Sequence, residues 1–199
     1  GHLYPGLAVA DCLRDQYACE VVLLVSSKEI DQIAVKNSEY PVITLPAVGL
    51  QKGNWIGFMR GFYRSYQQSK AEFKRLKPKA GLAMGGFTSA PPILAAKRIG
   101  APVFIHEANS IPGRANRWLA PWVDEAFVYF PQAAGRLRQS KTTVTGMPVR
   151  RGFQQMDAGS CRMALGLDPQ RPVLLVMGGS QGASAINQFL IQSLPLLNE

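Results

Sequence analysis

One strand–glycine–helix phrase occurs twice in this chain. Leu82-Ala83-Met84-Gly85-Gly86-Phe87-Thr88-Ser89-Ala90 returns in form as Leu175-Val176-Met177-Gly178-Gly179-Ser180-Gln181-Gly182-Ala183. In each copy an apolar run leads into a glycine pair, small polar residues and a helical pattern. That layout sets a bare backbone turn at a helix N-terminus, where free N–H groups and the positive end of the helix dipole favour an anion. Two such turns imply two α/β units that share a phosphate-bearing ligand.

The rest of the sequence agrees with that frame. Its patterns predict helices over 6–17, 29–37, 55–76, 89–99, 114–120 and 161–165. They predict strands over 19–26, 41–45, 80–84, 102–106, 124–129, 142–145 and 172–177. Strands alternating with helices imply a parallel, doubly wound sheet. Pro148, Gly152, Gly159 and Pro169 mark residues 148–171 as a linker. The expected division is a first domain over 1–147, the linker, and a second domain starting at 172–199.

The ends shape a further expectation. The chain opens on Gly1-His2 and enters a helical pattern at once, whereas an alternating fold should open on a strand. The second glycine unit has one strand and one helix, and a lone pair cannot cover its own apolar face. The reading is a fragment cut at both ends, its second domain truncated. No run reaches the ~18 apolar residues of a membrane span, and no secretory signal is visible. Cys12, Cys19 and Cys161 have no metal spacing and read as reduced thiols of a cytosolic protein.

Formal net charge is +9, and it is local. Lys52, Arg60, Arg64, Lys70, Lys74, Arg75, Lys77 and Lys79 face one acid in the same segment, Glu72, so that segment carries +7. Trp55, Phe58, Met59, Phe62, Tyr63 and Tyr66 recur there at helical spacing. One reading is a core-facing aromatic stripe with a solvated basic face. The other is a basic, aromatic patch for an anionic membrane surface, where each Lys or Arg contributes roughly 1 kcal/mol. No nucleic-acid-binding module accompanies the patch, so nucleic acid is not expected as a partner.

Several residues can carry chemistry. Gly85 and Gly86 suit a phosphate turn. Arg150 closes Thr145-Gly146-Met147-Pro148-Val149-Arg150 near the junction of the units, and a planar guanidinium there can clamp a diphosphate. His106-Glu107-Ala108-Asn109 follows a strand, at the sheet edge where doubly wound folds bind ligands. It is not a zinc HExxH, because Ser110 stands where the second histidine belongs. Asn109 can bond sugar hydroxyls, and Glu107 can act as a base or fix a loop. His2 precedes the first helix, and an imidazole suits a general base near neutral pH. Gly178-Gly179-Ser180-Gln181-Gly182 also fits GxSxG, the nucleophile elbow of α/β-hydrolases. That fold orders its triad serine, acid, histidine, whereas both histidines here precede Ser180.

Taken together, five collinear segments resemble the MurG family, UDP-N-acetylglucosamine–N-acetylmuramyl-(pentapeptide) pyrophosphoryl-undecaprenol N-acetylglucosamine transferase. They are Gly1-His2-Leu3-Tyr4-Pro5-Gly6-Leu7-Ala8, Met84-Gly85-Gly86-Phe87-Thr88-Ser89, His106-Glu107-Ala108-Asn109, Gly146-Met147-Pro148-Val149-Arg150 and Gly178-Gly179-Ser180-Gln181-Gly182-Ala183. The resemblance implies a GT-B glycosyltransferase of two Rossmann-like domains. It implies an inverting hexosyltransferase that moves GlcNAc from UDP-GlcNAc to the C4 hydroxyl of the muramyl sugar of lipid I. The product is lipid II for peptidoglycan, formed at the cytoplasmic face of the inner membrane by a peripheral enzyme with no required metal or cofactor. The alternatives are another GT-B enzyme with a nucleotide-sugar donor and, on the GxSxG match, an α/β-hydrolase-like protein. The resemblance gives Asn109, Arg150 and Ser180, with Gly179 and Gln181, to the donor; Gly85 and Gly86 to an acceptor or phosphate loop; and His2 to the base. It gives Trp55, Phe58, Met59, Phe62, Arg60 and Arg64 to membrane contact. Met147 stands where asparagine is usual and Ala108 where glutamine is frequent.

Overall fold

Short apolar runs between turn residues become strands, and the amphipathic stretches between them become helices. A computed structural model describes residues 3–36, 38–47, 49, 54–137, 141–153, 155–179 and 182–197. The chain divides into two compact units, residues 1–153 and 154–199.

The first unit alternates regularly. It runs α1 (Leu3–Tyr17), β1 (Leu23–Ser26), α2 (Glu29–Val35), β2 (Val42–Leu45), α3 (Trp55–Leu76), β3 (Gly81–Ala83) and α4 (Ala90–Arg98). It continues with β4 (Val103–Glu107), α5 (Arg114–Leu119), β5 (Glu125–Val128) and β6 (Lys141–Val144). Every ladder is parallel. The strands form two sheets rather than the single sheet expected: β1 pairs β2, and β3-β4-β5-β6 lie side by side in chain order. Among the described residues no ladder joins β1 to β3.

The core follows from the strand sequences. Val103 and Ile105 of β4, Ala126 and Val128 of β5, and Leu119 and Ala120 are fully buried, with Ile93 and Ala96 of α4 against them. A strand buried on both faces reads as a continuous apolar run, and Val103-Phe104-Ile105 at the start of β4 does so. The helix α3 begins at Asn54, whose side chain accepts from the Gly57 N–H, and stops where Lys77 turns left-handed at φ 46°. Its buried face is Gly61, Ser65, Ser69 and Phe73, at four-residue spacing, and it packs on α4. Small residues on that face let the two helix backbones approach closely. Phe73 lies in the core and Phe62 and Tyr66 pack part-buried against it, so aromatic and small residues together bury α3.

The second unit holds α6 (Ala158–Ala164), capped by the Asp157 side chain, and α7 (Ser184–Leu197). The strand expected over 172–177 does not form. Leu174, Leu175 and Met177 are exposed, and no described segment pairs with theirs. A parallel strand exists only as a rung of a ladder, so β-propensity without a neighbour leaves extended chain.

Candidate functional site

The carboxyl ends of β3, β4 and β6 each run into a residue group singled out by the sequence. After β3 come Gly85 at φ 107° and Gly86 at φ 81°, ψ 161°. The Gly86 conformation is essentially reserved for glycine. A Cβ at Gly86 would meet nothing within 4 Å, so the turn is open above. Ser89 closes it from below, its hydroxyl donating to the Gly86 carbonyl at 2.7 Å.

At its carboxyl end β4 carries His106 and Glu107 in succession, both buried. Glu107 Oε1 accepts from the Asn109 N–H and from Asn109 Nδ2, each at 2.9 Å. Its Oε2 accepts from the Gly113 N–H at 2.8 Å and from Asn116 Nδ2 at 2.9 Å. A carboxylate has about four acceptor positions, and all are filled. Burial by itself would raise its pKa. The N–H groups of Asn109 and Gly113 and the amides of Asn116 and Asn109 outweigh that, and hold the carboxyl below the usual glutamate range. A saturated, readily ionised carboxylate has no lone pair to offer an acceptor hydroxyl. The expectation of a base at Glu107 gives way to its other reading, a clamp on the 109–113 loop. The same clamp orients Asn109: its amide nitrogen is committed to Glu107, while its carbonyl oxygen has no partner among the described residues and the residue is exposed.

His106 turns toward the strand beyond. Its Nε2 lies 3.2 Å from the Gly146 carbonyl, which can only accept, so that nitrogen donates. Gly146 is left-handed at φ 85° and redirects the chain after β6. No role for His106 is legible from sequence beyond its place at the end of a strand that leads into the motif.

Beyond Gly146, Arg150 and Arg151 part ways. Arg151 Nη1 is 2.7 Å from Asp15 Oδ2 on α1. Arg150 has no acceptor among the described residues; its guanidinium carbon lies 4.6 Å from the Tyr4 ring centroid and 5.4 Å from that of Phe153. These contacts tie residues 150–153 to the first unit, so that unit runs through Phe153.

His2, Ser180 and Gln181 lie outside the described residues. The backbone beside the last two is described: the Gly182 N–H donates to the Gly179 carbonyl at 2.9 Å, and Gly182 has φ 94°. A Cβ on Gly178 would fall 2.3 Å from that of Ala183, so only glycine fits there. Among the described residues no group of three or more His, Cys, Asp or Glu could hold a metal ion.

The basic helix presents its aromatics outward at its N-terminal half. Trp55 is 60% exposed, Met59 46% and Tyr63 63%, and Arg60 and Arg64 are exposed beside them. Phe58 and Phe62 are half-buried and link a chain of rings Trp55–Phe58–Phe62–Trp118, the last pair edge-on at 6.1 Å. Trp118, on α5 and half exposed, extends this surface and was not anticipated. No helix of the described residues is long and apolar enough to cross a membrane.

A relative from Pelobacter propionicus is 34% identical over 99% of this chain and 57% of its own length. One from Moorella thermoacetica is 35% identical over 100% and 54%, respectively. Both are named UDP-N-acetylglucosamine--N-acetylmuramyl-(pentapeptide) pyrophosphoryl-undecaprenol N-acetylglucosamine transferase. The chain spans about half the length of the curated relatives it matches. The crystal structure of Acinetobacter baumannii MurG superposes with a TM-score of 0.63 at 26% identity, over 77% of this chain and 43% of that one. The likeness covers a parallel α/β architecture and identifies the first unit as a Rossmann-like N-terminal domain of the GT-B kind. Residues 1–128 match the model of the glycosyltransferase family 28 N-terminal domain, and the chain belongs to that family.

Proposed function

We propose that the protein carrying this chain transfers GlcNAc from UDP-GlcNAc, with inversion, to the C4 hydroxyl of the muramyl sugar of lipid I, forming lipid II. The observation that carries this reading is the identity of 34–35% to transferases of that name across virtually all of this chain. The geometry is in keeping with it. An inverting transfer needs a base beside the acceptor hydroxyl and positive groups for the departing diphosphate. Arg150, which has no carboxylate partner among the described residues, takes the donor diphosphate. Asn109, oriented by Glu107, offers its carbonyl oxygen to a sugar hydroxyl. The open turn at Gly85 and Gly86 takes the acceptor's anionic portion, and His2 is the base.

The exposed Trp55 and Met59 and the half-buried Phe58 and Phe62, with Arg60, Arg64 and Trp118, dock the enzyme on anionic lipid at the cytoplasmic face of the membrane, where a polyprenyl-linked acceptor stays. The test is lipid II formation from UDP-GlcNAc and lipid I by the full-length protein. His2→Ala should lower kcat by roughly 10²–10⁴-fold while UDP affinity holds. Absence of GlcNAc transfer to lipid I by folded, membrane-presented protein refutes the reading.

A further inference from the structure

We infer that Tyr4 and Phe153 are positioning residues for Arg150, holding its guanidinium by ring contact so that its N–H donors stay free for a nucleoside diphosphate. This rests on the donor-binding reading of Arg150. The contrast between neighbouring arginines carries the inference. Arg151 is committed to Asp15, a structural ion pair. Arg150 is equally within reach of α1, yet it meets no carboxylate among the described residues and lies over two aromatic rings instead. A ring holds a guanidinium through its face and occupies none of its five in-plane donors, whereas a carboxylate would take two of them. The rings therefore restrain the side chain without competing with a phosphate.

The surroundings are built to hold that arrangement. The segment is fixed upstream, where His106 Nε2 donates to the Gly146 carbonyl at 3.2 Å, and downstream, where Arg151 reaches Asp15 at 2.7 Å. Tyr4 stands in the first turn of α1, a helix of 15 residues. The ring contact thus holds a cation near the positive end of a helix dipole, with no acidic residue in that first turn. Two positive groups held together in this way repel unless an anion joins them. Holding the guanidinium in place before binding removes part of the ordering cost that a free arginine would meet. Tyr4 lies far from Arg150 and Phe153 in the chain, so no local pattern announces its contact with the guanidinium.

The test measures UDP affinity of the full-length protein, by titration calorimetry, for Tyr4→Leu, Phe153→Leu, Tyr4→Phe and Arg150→Ala, and for Tyr4→Leu combined with Arg150→Ala. Tyr4→Leu should weaken UDP binding roughly two- to fivefold, the range of an exposed cation–π contact. Tyr4→Phe, which keeps the ring, should restore it. In the Arg150→Ala background Tyr4→Leu should have no further effect, and the KM for lipid I should stay unchanged throughout. Should Tyr4→Leu fail to fold, Phe153→Leu supplies the same comparison. If Arg150→Ala weakens UDP binding but neither ring variant does, the positioning role is overturned and the donor reading stands. If Arg150→Ala leaves UDP binding unchanged, both fall together. A loss on Tyr4→Leu that persists without Arg150 also overturns the proposal, because the ring would then act by another route.

Discussion

Asn116 Nδ2 donates both to the Glu107 carboxylate, at 2.9 Å, and to the carbonyl of His106, at 3.0 Å. One amide thus fastens the end of β4 to α5. The carboxylate that could be read as a base or as a loop clamp is the centre of a structural knot.

Glu107→Gln should therefore act first on stability. The substituted amide turns two acceptor positions into donors that face other donors, at a cost of about 2–4 kcal/mol. The pH dependence has a definite sign. The folded pKa lies below the unfolded value, so the carboxylate's contribution is present above the ordinary glutamate pKa of about 4.3 and is lost as pH falls through the folded value. Chemical denaturation from pH 7 to pH 3 should show a stability loss at the acid end that is shallower in the Gln variant. An unaltered acid limb would show that another group controls it.

Arg150→Ala should weaken UDP binding by about 1.5–3 kcal/mol, the size of a hydrogen bond to a charged group. Arg75→Ala is the control: that arginine pairs with Glu72 near the end of α3. Calorimetry on folded variants separates them, and equal affinities for the two would make Arg150 an ordinary surface cation.

These two residues show what the sequence could and could not announce. The alternation of strands and helices was readable because period 2 and period 3.6 leave different apolar spacings. The span of α3, Trp55–Leu76, follows directly from that spacing. The face that α3 buries was not readable, because Gly61, Ser65 and Ser69 carry no apolar signal and are selected by closeness to α4. The role of Glu107 was hidden because two of its donors are backbone N–H groups, which every residue has. The run at 172–177 misled for the opposite reason: its composition is that of a strand, but a strand is a property of pairs. Arg150 and Tyr4 meet only through the fold.

Gly86→Ala should cost about 1–3 kcal/mol through backbone strain alone, since its φ of 81° and ψ of 161° are outside the L-residue range and the added methyl meets nothing. Gly81→Ala supplies the comparison. Its methyl would stand 3.4 Å from Ala96 Cβ, in ordinary contact, without a left-handed φ. Thermal unfolding of the two variants should rank Gly86→Ala as the less stable; the reverse order would place the strain elsewhere.

Replacing Arg60 and Arg64 with Glu should reduce sedimentation with anionic vesicles roughly tenfold or more, from about 1 kcal/mol per basic residue near such a surface. Trp118→Ala should also weaken it, through the edge contact with Phe62. Binding should fall with salt, since screening shortens to about 3 Å at 1 M. Turnover of a short-chain, water-soluble acceptor should persist. Vesicle binding indifferent to charge and salt would assign the rings to packing within the protein.

The order of the larger sheet has a kinetic consequence. Its strands are neighbours in space as they are in sequence: Gly81 lies against Val103, Phe104 against Glu125, and Ala126 against Thr142. Each new strand needs only the one completed just before it and closes a short loop whose entropic cost grows slowly with length. Such a sheet can be laid down strand by strand as the polypeptide leaves the ribosome, each apolar edge covered by the next segment to emerge.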